Sequence, residues 1–176
     1  MSDLYEKIVN QRSTFESITA KIPGFSGYME RSARREADRM LRDHIAGVLA
    51  QCIKRLSDIE KKLLDKGGLS YMSKTRSAKS KMQTFHDRVK TATPGHSGFF
   101  EKIKVGPEEL EKIYSFDEAQ LRYADQFNDA LDVLADAVSK NENIDTAISE
   151  LDRIAAEANE AFFLRAGILT DLSMSS

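Results

Sequence analysis

Residues 26–66, SGYMERSARREADRMLRDHIAGVLAQCIKRLSDIEKKLLDK, contain no proline, and beyond the opening Gly27 their one glycine is Gly47. Ala33, Ala37, Leu41, Ile45, Val48, Cys52, Leu56, Ile59 and Leu63 step through the stretch by threes and fours, the spacing of one helical face. A single helix of this length would extend roughly 60 Å at 1.5 Å per residue, well beyond the average globular helix. The expected fold is therefore all-α: an elongated helical bundle built from coiled-coil-like hairpins.

The segments on either side agree with this. Upstream, KIPGFSGY (Lys21–Tyr28) reads as a corner, because Pro23 disfavours helix at the residue before it, Gly24 tolerates positive φ and Ser26 suits a helix N-cap. Before it, Leu4, Ile8, Phe15, Ile18 and Ile22 predict one amphipathic helix from Asp3 to about Lys21. Downstream, Gly67 and Gly68 stop the long helix, and a third is expected from Ser70 to Ala92 on the stripe Tyr71, Ala78, Met82, Phe85 and Val89. A loop, Thr93–Pro107, follows. Pro107 suits the first turn of a short helix PEELEKIY, and Ser115 with Glu118 has capping-box spacing for a fourth long helix, Phe116–Lys140. The turn KNEN then precedes a last helix capped by Asp145 and running to about Thr170, with a frayed SMSS tail. About five main helices in a single domain, residues 1–176, account for the chain.

Composition supports that reading. Of 176 residues, 41% are hydrophobic, enough for one core, and 31% are charged, with three prolines and no tryptophan. Cys52 is the only cysteine and lies on an apolar helical stripe, which points to a reduced structural thiol and a reducing compartment. The N-terminal residues lack a cationic region followed by an apolar run, and no window approaches a membrane span. A cytoplasmic location follows, at most peripheral to the inner face of the membrane. The net charge of −2 conceals a split: residues 1–106 carry +9 and residues 107–176 carry −11.

Catalytic and metal motifs are missing from the sequence. A di-metal bundle needs E-x-x-H pairs, none occurs, and His44, His86 and His96 fall on three separate segments. Nucleotide and hydrolase fingerprints are also absent. No cofactor, metal or small-molecule substrate is expected.

Three surface features remain as interaction candidates. The Arg-rich start of the long helix holds Arg31, Arg34, Arg35, Arg39 and Arg42, but Glu30, Glu36, Asp38 and Asp43 are interleaved, so self-neutralisation at i,i+4 is the first reading. If Phe25 and Tyr28 stand exposed beside Arg31 and Arg35, the corner is a recognition site; if they are packed, it is a hinge. The second feature is SKTRSAKSKMQTFHDRVK, where Lys74, Arg76, Lys79, Lys81, Arg88 and Lys90 face a single acid, Asp87. Such a helix suits anionic lipid or phosphates, while the acidic second half offers a counter-charge within the chain or between subunits. The third is GHSGFFEKIKVG, in which Phe99 and Phe100 precede Lys102 and Lys104: a core plug, or a shallow membrane-inserting tip.

The stretch IPGFSGYMERSARREADRMLRDH, Ile22–His44, resembles a segment of small, uncharacterised all-helical bacterial proteins in which an I-P-G-aromatic-x-G-Tyr corner precedes an Arg-rich helix. That resemblance implies helices and a bacterial cytoplasm rather than a reaction. The function expected from the residues is a non-catalytic scaffold or adaptor acting through charged surfaces, with a protein partner or self-association. The alternative is a peripheral membrane protein that meets anionic lipid through the basic helix and the Phe-Phe loop. Nucleic acid comes third, because the pI is about 6.0 and no reading motif is present.

Overall fold

The computed structural model describes residues 3–11, 15–91 and 105–174, and among them there are helices and no strands. In chain order these are α1 (Asp3–Val9), α2 (Phe15–Lys21), α3 (Arg34–Asp65), α4 (Met72–Thr91), α5 (Pro107–Lys140) and α6 (Ile144–Met174). Short 3-10 turns, Arg31–Ala33 and Leu69–Tyr71, lead into α3 and α4.

The four long helices form the bundle. α3 packs against α4 and α5, and α6 packs against the same two, so α3 and α6 lie on one diagonal and α4 and α5 on the other. Successive helices reverse direction, which makes two neighbouring pairs, α3/α5 and α4/α6, run parallel. The register shows this directly: Lys74, Lys81 and Arg88 of α4 reach Asp145, Asp152 and Asn159 of α6, each pair 71 residues apart.

Each long helix commits its apolar stripe to one continuous core. Leu41, Ile45, Leu49, Leu56 and Leu63 of α3 are buried, as the threes-and-fours spacing requires. At mid-height Phe85 of α4 meets Phe127 of α5 and Phe162 of α6, both at 6.3 Å between ring centres. Side chains of this size contribute about 1.5–3 kcal/mol each when fully buried. Cys52 is buried in the same core, its thiol donating to Asn128 Oδ1 at 3.3 Å. Burial pushes that thiol up to about 11, so it stays protonated at neutral pH.

Several boundaries differ from the sequence expectation, each for a local reason. The single N-terminal helix is two: α1 packs against α5 and α6, α2 against α5, and Ile8 and Ile18 are each buried. One straight helix could not follow both lines of contact. The long helix begins at Arg34 rather than Ser26, because Gly27 takes φ +74° and turns Tyr28 into the core before the helix starts. α5 is continuous from Pro107, and Ser115 is no N-cap. It is buried mid-helix, its hydroxyl donating to the Glu111 carbonyl at 2.9 Å, while Glu118 pairs with Arg122 four residues on. Between α5 and α6, Asn141 and Asn143 adopt φ of 57° and 56°, and α6 opens at Ile144, which leaves Asp145 inside the first turn and paired with Lys74. Its C-terminal end also runs past Thr170, to Met174.

Candidate functional site

The basic helix is cross-linked into the bundle. Lys74 Nζ meets Asp145 at 2.5 Å, and Lys81 Nζ meets Asp152 at 2.6 Å, while the Ser77 hydroxyl donates to the second oxygen of Asp152 at 3.0 Å. Arg88 donates to the Asn159 side-chain oxygen at 3.2 Å. On the other flank Lys79 pairs with Glu60 of α3 at 2.7 Å, where Glu60 is buried. Of the α4 cations named from sequence, Arg76 is exposed and forms no ion pair among the described residues. The heptad spacing of Lys74, Lys81 and Arg88 matches that of Asp145, Asp152 and Asn159, so two parallel helices present the same edge to each other every two turns.

The corner KIPGFSGY is the hinge. Phe25 and Tyr28 are both buried, which removes them as recognition surface; Arg31 and Arg35 remain exposed beside them. Tyr28 anchors the corner by three routes. Its N–H donates to the Tyr114 hydroxyl at 2.9 Å, its carbonyl accepts from Arg34 Nε at 2.5 Å, and its hydroxyl donates to Asp117 Oδ2 at 2.5 Å. The Tyr114 ring stacks on it at 5.4 Å. Arg34 therefore holds the corner rather than joining a surface arginine cluster. The other two arginines are neutralised locally, Arg39 by Glu36 at 2.9 Å and Arg42 by Asp38 at 2.8 Å.

Sequence reasoning missed the centre of this arrangement. Arg165 of α6, 6% exposed, donates to Asp117 Oδ1 at 2.6 Å and to Asp38 at 3.1 Å, tying α3, α5, α6 and the corner together. Burial raises the Asp117 carboxyl above its ordinary range even though Arg165 and the Tyr28 hydroxyl pull it down. Burial and the neighbouring Asp117 charge raise the Tyr28 phenol well above its own. One turn on from Asp117 the Gln120 side-chain nitrogen is buried without a hydrogen-bond partner among the described residues. A signal was present: Asp117 and Arg165 are opposite charges, each lying on the apolar stripe of its own helix.

The outer side of α5 carries the acid. Asp125, Asp129, Asp132 and Asp136, spaced by four, three and four, are all exposed along one edge. Asp125 pairs with Lys21, Asp132 with Arg55 and Asp136 with Lys140, while Asp129 has no ion pair among the described residues. Beside this edge, α5 and α6 enclose an open groove of about 700 Å³ near their connecting turn, with Val133 60% exposed on its floor and Glu142 and Glu150 on its rim.

His44 is half-buried and His86 faces its neighbour Asp87 at 2.9 Å; His96 lies outside the described residues, as do Phe99, Phe100, Lys102 and Lys104. Among the described residues no three His, Cys, Asp or Glu side chains gather as a metal site would require, and no helix is long and apolar enough to cross a membrane. No family model, curated protein or solved structure matches the chain.

Proposed function

We propose that the chain is a non-catalytic helical scaffold or adaptor that meets protein partners, a second copy of itself among them, through its charged faces. The observation that carries this reading is where charge remains after internal pairing. Lys74, Lys79 and Lys81 of α4 are spent on α6 and α3, whereas beside the open groove with its exposed valine Asp129 and Glu142 have no ion pair among the described residues. Carboxylates flanking an apolar strip select a partner by charge and hold it by burial. The same pairing weakens the case for α4 meeting anionic lipid, since Lys74, Lys79 and Lys81 already have carboxylate partners.

The test is in-cell cross-linking of the wild type against the charge-reversed variant Asp129→Lys, Asp136→Lys, with flotation of the purified protein on anionic and neutral vesicles at low and high salt. A discrete set of proteins cross-linked to the wild type and lost from the variant is the expected result. Salt-sensitive flotation on anionic vesicles, with no partner that depends on the α5 edge, would overturn the scaffold in favour of a peripheral membrane role.

A further inference from the structure

The α5/α6 groove already holds one helix. α1 seats Leu4 and Ile8 in its lower stretch, beside Tyr123 and Gln126, with Lys7 reaching the same stretch. The groove does not end there. Gln126 and Arg153 bound both the part under α1 and the next part, and Val133, Glu150 and Arg153 carry it on to the α5/α6 turn. From Gln126 to Lys140 this open stretch is about 21 Å long at 1.5 Å per residue, room for a helix of roughly four turns.

We infer that this open stretch docks an amphipathic helix of a protein partner, one whose apolar face is flanked by lysine or arginine. The inference rests on the scaffold reading and names the partner's chemistry. Three features support it. The floor is small and apolar, with Ala130, Ala137 and Ala147 allowing close backbone approach around the exposed Val133. The site continues the groove in which α1 is bound, so its width suits a helix, and helix-in-groove recognition needs only apolar anchors at i, i+3 or i+4 and i+7. The rim selects the sign of the flanks: Lys140 is paired with Asp136 and Arg153 with Glu150 and Glu157, which leaves Asp129 and Glu142 as the rim charges with no ion pair among the described residues. An acidic helix would meet like charge, and so would the same groove of a second copy.

The test uses full-length protein labelled with 15N and two synthetic peptides of about four helical turns. Both carry leucines at i, i+3, i+4 and i+7; one bears lysines on its flanks and the other glutamates. The lysine peptide is expected to shift the amides of Val133, Thr146 and Ser149 saturably, with the glutamate peptide at least about tenfold weaker. Val133→Lys, which removes the apolar anchor and opposes the lysine flanks, should weaken the lysine peptide by about tenfold or more while leaving the helical circular dichroism unchanged, because that side chain is mostly exposed. Equal binding of the two peptides, shifts confined to another surface, or no saturable shift would overturn the inference. So would groove shifts that follow protein concentration without peptide, which would make a second copy the occupant. If the peptide fails while in-cell partners still depend on the α5 aspartates, the docking inference falls and the scaffold stands; if both fail, the scaffold falls with it.

Discussion

The α4/α6 seam and the Tyr28 corner both join the basic first half of the chain to the acidic second half, but they do so in different surroundings. At the seam, Lys74–Asp145 and Lys81–Asp152 stand partly in water and repeat every seven residues. At the corner, Arg165, Asp117 and Tyr28 are buried and converge on a single point. Exposed pairs contribute little individually because water competes for both partners. A buried pair costs its desolvation, and removing one member leaves the other charge stranded. Thus the seam sets register by repetition, while the corner fixes one arrangement by penalising every other.

The largest way to break the comparison is Arg165→Met, which strands the buried Asp117 and is expected to cost about 3–5 kcal/mol in urea unfolding. The triple variant Arg165→Met, Asp117→Leu, Tyr28→Phe should lose less than the single change, since no buried charge is left alone at Asp117. Gly27→Ala probes the same corner through the backbone. A Cβ there would sit 2.4 Å from the Tyr114 hydroxyl oxygen and 2.8 Å from the Phe15 ring, at a φ of +74°. Thermal unfolding should show a loss of roughly 1–3 kcal/mol.

Alkali should act on the buried thiol and phenols. Cys52, with its ordinary value of 9.0 raised to about 11, favours the folded state fully below pH 9 and loses that contribution as pH rises through 11, because the unfolded thiol ionises first. Tyr28, Tyr114 and Tyr123, all raised by burial, act in the same direction at higher pH. Stability measured from pH 8 to 11 should fall by an amount on the order of 1–2 kcal/mol, and Cys52→Ala should flatten the early part of that fall. Absorbance at 295 nm should show these three tyrosines ionising at higher pH than an unburied phenol. Gln120→Met should move stability upward by about 1 kcal/mol, because it removes a buried donor that has no acceptor among the described residues. The smallest effect belongs to the seam: Lys74→Ala should cost no more than about 1 kcal/mol and less in high salt, read from urea midpoints at two ionic strengths.

The seam was partly legible in the sequence, whereas of the corner only the placing of Asp117 and Arg165 on apolar stripes was, for a physical reason. Period and charge sign along α4 and in the second half are local properties, and they pointed to an internal counter-charge for Lys74 and Lys81. The apolar stripes of α3 to α6 were legible in the same way. What joins Tyr28 to Arg165 is set by the cyclic order of the helices, which local spacing does not encode. The capping-box pattern at Ser115 misled because S-x-x-E also fits a helix interior, where the serine hydroxyl turns back to the Glu111 carbonyl. Phe25 and Tyr28 could be read as exposed or packed from the sequence, and their burial came from the Gly27 turn that aims the corner inward.

Arg165 also orders events during synthesis. Its hydrogen bond to the Tyr28 hydroxyl spans 137 residues, so the corner, although made early, waits for one of the last turns of α6 to leave the ribosome before it can lock. Earlier still, before α5 and α6 emerge, the first 106 residues carry a net +9 with neither acidic helix to answer it. The nascent chain therefore passes through a polycationic stage, and the acidic half acts in effect as its own late-arriving counter-ion.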